Sequence, residues 1–174
     1  MRALFLMVSL VAALQAHDPS VSGEETLDVS GKWYLKAMTS DQEVSRKELE
    51  VAHAIALKVL EGGDLEAKTT VVVNGQCREM TLVLQKTKEP GKYVSSGLKD
   101  AIHFTQSRVQ DHYVLDCEGE IHGEKIRMMK LMGRDPEENR EALEDFKNAV
   151  EARGFDPEKI VIPTQTEACS LDTA

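Results

Sequence analysis

The sequence predicts an all-β fold: an eight-stranded antiparallel up-and-down barrel, with one C-terminal α-helix packed outside it and a short ninth strand. Three observations carry this expectation. Short runs of alternating apolar and polar residues recur along the chain with turn signals between them, the pattern of a sandwich or barrel. The links between runs are short, so that consecutive strands become neighbours joined by hairpins. Near residue 135 the apolar period changes from two to about 3.6, so a helix follows the strands.

Taken in order, the chain opens on Met1-Arg2, the apolar run Ala3–Leu14, then Ala16 and the polar His17-Asp18-Pro19. That is the layout of a secretory signal, and the run is too short to span a bilayer. We expect residues 1–16 to be removed, leaving 17–174 as a single extracellular domain. Gly31–Thr39 and His53–Leu60 alternate as strands do. The turn Glu61-Gly62-Gly63-Asp64 leads into Leu65–Val73, and Asn74-Gly75 signals a type I′ hairpin into Gln76–Thr87. After the breaker Glu89-Pro90-Gly91 come Lys92–Ser95 and Asp100–Thr105. Asp111–Glu118 and Glu124–Met132 are linked by a tight connection over Gly119–Gly123. Asp135 then reads as an N-cap, with Pro136 in the first helical position and Glu138 three residues after the cap. Leu143, Phe146 and Val150 recur at helical spacing, Gly154 is the expected C′ residue, and Ile160–Pro163 reads as the ninth strand.

Composition narrows the function. The 174 residues carry 30 acidic against 21 basic side chains, a net charge of −9, which argues against a nucleic-acid partner. Nothing after the leader is apolar enough for membrane insertion. No G-x-S-x-G elbow, phosphate loop or HExxH sequence is present, so an enzyme is not expected. Of the five histidines, His112 and His122 come close across a hairpin, where they read as a solvated pair. Neither a cofactor nor a metal site is expected, since the three cysteines lack a CxxC spacing or a paired histidine. In an oxidising compartment three cysteines form at most one internal bridge, and three pairings are open. Cys169 sits in a polar tail with no apolar face to hold it, so a bridge gives it a role; Cys117 lies in an alternating run as a buried thiol would. The pairing favoured is Cys77–Cys169.

Strand parity selects one unusually apolar face. Its candidate ligand-lining residues are Leu35, then Ile55, Leu57 and Val59, then Val71, then Met80, Leu82 and Leu84. Ile102 and Phe104, Tyr113 and Leu115, and Met128 and Lys130 complete the set. Trp33, Leu35 and Ala37 share a side of the first strand, and Val71-Val72-Val73 offers apolar groups to both faces of the third. An eight-stranded barrel of slim side chains either packs solid or holds one small molecule, and the pattern alone is compatible with both. Lys130, on the apolar parity, either meets a ligand carboxylate or snorkels to the rim.

Gly31-Lys32-Trp33 before the first strand, Asp111-His112-Tyr113 at the seventh and Gly133-Arg134-Asp135-Pro136 after the eighth form an ordered trio around eight strands and a helix. In this the chain resembles the lipocalin family. The segments GKWYLKAM, LEGGDLEAK, EPGKY, DHYVLDCEGE, KLMGRDP and EALEDF are similar to its tear lipocalin (von Ebner's gland protein) branch, which includes secreted dog and cat allergens. The resemblance spans essentially all of residues 17–174. It implies structural roles for Gly31, Trp33 and Arg134 at the closed end, with the arginine lying across the indole. It implies a bridge between Cys77 and Cys169, a free Cys117 and an interior Lys130. The implied function is a secreted carrier of fatty acids, other lipids or odorant-like molecules. Departures are Gln110-Asp111-His112-Tyr113 where the family usually has T-D-Y, and a strongly charged stretch between Ser40 and Val51 at the expected mouth. The competing reading is an interaction module, engaging a cell-surface receptor or a second copy of itself, or a protease-inhibitor or scavenger lipocalin without a dedicated ligand. For inhibition, the acidic segment Glu141–Asp145 and the Gly62-Gly63 turn are the places to look.

Overall fold

Alternating strands bury one face only if the sheet folds onto itself, and the chain does this by closing completely. The computed structural model describes residues 28–43, 51–95, 100–121, 123–167 and 169. Its barrel consists of β1 (Gly31–Ser40), β3 (Ile55–Val59), β4 (Leu65–Val73), β5 (Gln76–Lys86), β6 (Lys92–Ser95), β7 (Ala101–Gln106), β8 (His112–Ile121) and β9 (Glu124–Gly133). Each pairs antiparallel with the next, and β1 closes the ring by pairing with both β3 and β9. The expected fold class is what the structure has. The signal-like leader, His122 and the charged residues Arg46, Lys47, Glu48 and Glu50 lie outside the described residues.

Register follows the turns. Asn74 and Gly75 both have positive φ, Val73 faces Gln76, and the pairing then runs unbroken to Leu65 opposite Leu84. On β1 the simple alternation fails. A bulge between Leu35 and Ala37 moves Ala37 to the outer face, while Trp33 and Leu35 remain with the inner cluster. The bulged Lys36 is buried and turns toward the barrel's closed end. β8 and β9 are longer than expected, remaining paired as far as Ile121 opposite Glu124.

The helix α1 (Arg140–Ala152) starts later than its apparent cap. Asn139 is the N-cap, its side-chain oxygen accepting from the Ala142 N–H at 3.0 Å. Asp135 is occupied elsewhere, accepting from the Glu137 N–H and pairing with Lys36 at 3.5 Å. The helix ends as expected. Gly154, with φ of 81°, lets its N–H reach Glu151 O and the Phe155 N–H reach Val150 O. Ala142, Phe146 and Val150 are fully buried against Ala37, Val114, Met129 and Leu131, the outward side chains of β1, β8 and β9. Asp145 holds the helix to the β7–β8 turn by accepting from Ser107 Oγ (2.6 Å) and the Arg108 N–H (3.1 Å). Arg153 pairs with Asp116 on β8.

Beyond the helix, Val161 exchanges two backbone hydrogen bonds with Met38, and β10 (Thr164–Gln165) pairs parallel with β2 (Val51–Ala52). The short extra strand is therefore present, beginning directly after Ile160–Pro163. Cys169 bonds to Cys77 on β5, enclosing a separation of 92 residues, and its carbonyl accepts from Thr70 Oγ1 at 2.6 Å.

Two stability outcomes follow. Phe146→Ala leaves a cavity beneath the helix and should cost about 3–5 kcal/mol in denaturant unfolding. Reduction of the bridge should lower stability by about 2–5 kcal/mol, read as a lower urea midpoint in the presence of a thiol reductant.

Candidate functional site

The closed end is built around one tryptophan. Trp33 is 2% exposed, and its indole N–H donates to Val29 O at 2.8 Å. Tyr113 meets it edge-on at 5.3 Å between centroids, and the Arg134 guanidinium lies 3.7 Å from the indole centre on the outside. That distance is a cation–π contact. Arg134 also donates to Ser30 O at 2.6 Å. Gly31 allows the approach: its φ is 101°, and a Cβ there would stand 2.8 Å from the arginine Nη1. Gly31, Trp33 and Arg134 thus form a single plug.

His112 is part of this end rather than a solvated residue. It is 3% exposed, because β8 begins there opposite Gly133. Lys36 Nζ, which can only donate, is 3.1 Å from His112 Nε2, and Gln110 O, which can only accept, is 2.9 Å from Nδ1, so the contacts match a ring that accepts at Nε2 and donates from Nδ1.

Above the plug is a cavity of about 320 Å³. This is at the lower end of the usual size for small-molecule sites. Of the residues singled out by strand parity, Ile55 and Leu57 line it from β3, Met80, Leu82 and Leu84 from β5, and Ile102 and Phe104 from β7. Tyr113 and Leu115 line it from β8 and Lys130 from β9. Four lie elsewhere. Leu35 packs into the inner cluster opposite Met132. Val59, at the closed-end terminus of β3, is 46% exposed. Val71 and Met128 have the expected parity but are not in the wall: Val71 sits further toward the open end, opposite Arg78, and Met128 lies level with Cys117 on the neighbouring strand.

The wall also contains Val29, Trp33, Ala67, Lys68, Thr69, Thr81, Cys117 and Met132. Ala67 and Thr69 could have been found: counting back from Asn74-Gly75 puts Thr69 opposite Met80 and Ala67 opposite Leu82. Cys117 and Met132 had the inward parity. Val29 precedes the first alternating run, and nothing in the pattern marked it. Met80 both lines the cavity and is 56% exposed, so it stands at the mouth.

The polar groups in this apolar wall are few. Lys68 is drawn outward by Glu66 (3.8 Å) and Glu79 (3.7 Å). Lys130 makes no hydrogen bond or ion pair among the described residues. Burial pushes the Cys117 thiol up from its ordinary range, the Lys130 ammonium pulls it back, and Asp116 and Asp100 add to the rise. Among the described residues no cluster of three or more His, Cys, Asp or Glu could hold a metal, and no helix is long and apolar enough to cross a membrane.

A model of the lipocalin / cytosolic fatty-acid binding protein family matches residues 30–167. The chain belongs to the lipocalin family. Lipocalin-1 of Sus scrofa is 50% identical over 172 residues, covering 98% of this chain and 97% of that one. The major allergen Can f 1 of Canis lupus familiaris is 51% identical over 172 residues, covering 98% of each. These similarities place this lipocalin in the branch its sequence motifs indicate. Among solved structures, the siderocalin Ex-FABP aligns with a TM-score of 0.72 at 20% identity, over 84% of this chain and 96% of that one, and so shares the fold.

Folding favours the neutral Cys117 thiol, so the stability gained from its burial is present below the ordinary thiol range and is lost as pH rises through the folded-state value. Iodoacetamide trapping of the native lipocalin should therefore need a more alkaline solution than trapping of the urea-unfolded chain, as followed by mass spectrometry across a pH series.

Proposed function

We propose that this lipocalin is a secreted carrier that takes one small amphiphilic hydrophobe, such as a fatty acid, into its barrel. The tail lies among the aliphatic walls and the carboxylate turns toward Lys130. The observation that carries this reading is an ammonium without a counter-charge among the described residues, set in a largely apolar cavity. Lys130 is half-buried, so a carboxylate guest would meet its ammonium in surroundings less screened than open water and gain a charge-assisted hydrogen bond.

The magnitudes favour an amphiphile over a plain hydrocarbon. About a dozen methylenes gain roughly 10 kcal/mol on burial. Association costs at least about 4 kcal/mol in lost motion, so the tail alone gives no better than weak micromolar binding. A charge-assisted hydrogen bond of about 1.5–3 kcal/mol then matters. Residues 1–16 fit this role as an export signal, and the family's own description includes fatty-acid binding proteins.

The test is displacement of a fluorescent fatty-acid probe from delipidated protein. Saturable binding near one probe per chain is expected, with Lys130→Ala weakening fatty acids roughly tenfold to hundredfold and leaving the matching fatty alcohol nearly unchanged. No binding by the folded, delipidated protein would discard the carrier reading in favour of an interaction module acting on a receptor or a second copy.

A further inference from the structure

The helix and the tail do not close completely against each other. Where the chain enters α1 and the tail passes beside it, they leave a groove of about 80 Å³ on the outer wall of the barrel. It shares no lining residue with the cavity inside. Small-molecule sites are several times larger, so this volume suits a single side chain. Leu131, Leu143 and Pro163 make the groove apolar, and Ile162 stands at its edge, 57% exposed. The charge around it is one-sided. Glu137 and Glu138 line it, are exposed, and join no ion pair among the described residues. The cation of the lining, Lys36, has a side chain only 6% exposed and is already answered by Asp135 at 3.5 Å and His112 at 3.1 Å. Gln165 adds an acceptor to the wall. Its Nε2 donates to Leu35 O, which fixes the orientation of the amide, and its Oε1 then has no hydrogen-bond partner among the described residues. Gln165 is only half-buried, so this amide belongs to the groove's wall rather than to the core.

We propose that this groove docks an extended basic segment of a partner protein, one with a leucine-like side chain flanked by lysine or arginine. Each part of the segment answers one feature of the groove. The aliphatic side chain fills the space between Leu131 and Leu143 and covers Ile162, as an anchor residue does at the centre of an interface. The backbone N–H of that residue donates to Gln165 Oε1, an acceptor the empty groove leaves without a donor. The flanking cations meet Glu137 and Glu138, which supply the complementary charge. An acidic segment would set carboxylate against carboxylate. A second copy of this chain, with its own net charge of −9, is disfavoured on the same ground. The inference does not rest on the carrier reading. The groove lies toward the closed end, where Lys36 turns, so an occupant leaves the mouth at Met80 uncovered. The barrel could then be held by a partner with or without a guest inside.

The experiment titrates isotope-labelled protein, bridge intact, with the peptide acetyl-Lys-Leu-Lys-amide and follows amide signals by NMR. Saturable shifts are expected at Glu137, Glu138, Leu143, Ile162 and the Gln165 side chain, with a Kd of about a millimolar for so short a peptide. Acetyl-Lys-Ala-Lys-amide has the same charge and should bind about tenfold more weakly. Acetyl-Glu-Leu-Glu-amide should give no saturable shift at the groove. Replacing the Lys–Leu amide of the first peptide by an ester removes the N–H and should weaken binding about twofold to tenfold. The double variant Glu137→Gln with Glu138→Gln should weaken the lysine peptide about twofold to tenfold. The three comparison peptides use the unaltered chain, so they decide the matter even if that variant is perturbed. Equal binding of the leucine and alanine peptides, or of the lysine and glutamate peptides, overturns the proposal, as does an ester that binds as tightly as the amide. Shifts confined to other surfaces, or no saturation, overturn it too. Groove signals that move with protein concentration alone assign the groove to a second copy and also overturn it. None of these readings uses the barrel probe, so the carrier reading stands or falls separately.

Discussion

Everything in this barrel depends on β1 being hydrogen-bonded along both edges. It does so with different stretches, Gly31–Trp33 against β3 and Tyr34–Ser40 against β9. A sheet left open there would expose two rows of unpaired backbone groups. The bulge between Leu35 and Ala37 is the device that lets one strand serve two cores. Before it, Trp33 and Leu35 point inward; after it, Ala37 points out beneath Phe146 of the helix. The disturbed backbone is taken up by the tail, where Gln165 Nε2 donates to Leu35 O at 2.6 Å and Val161 brackets Met38.

The inner and outer faces divide the work. Outside, ion pairs and hydrogen bonds such as Arg153 to Asp116 and Ser107 to Asp145 set the helix in one place. Inside, the few rings gather toward the closed end: Trp33 against Tyr113, and Tyr93 against Phe104 at 5.6 Å. Rings have few rotamers and fix a floor, whereas the leucines and methionines nearer the mouth adjust to a guest. The site is therefore firm at the bottom and adaptable above.

Much of this was legible in the chain, for identifiable reasons. Period-two alternation is a backbone property, so β3, β5, β7 and β8 declared their inward residues directly. The pairing of Cys77 with Cys169 was legible because a polar tail has little else to hold it. Where the reading failed, a tertiary event intervened. A one-residue bulge is invisible in an alternating string, so Ala37 was placed on the wrong face. Asp135 looks like a cap until Lys36 and the Glu137 N–H claim it, and Asn139 then takes the role. Parity also says nothing about height in the barrel, which is why Val59 and Val71 fall outside the cavity. The register of two strands was nevertheless latent in Asn74-Gly75, from which Thr69 and Ala67 could have been counted.

The bridge between Cys77 and Cys169 has a topological consequence. It joins β5 to the end of the chain, so β6 through β9, the helix and the tail all belong to one covalent ring. A protease that cuts once at any turn within that ring opens it without freeing a fragment, and the two new ends stay tethered within reach of their old partners. Release of a fragment from this ring thus takes two events, a cut and then either reduction of the bridge or a second cut.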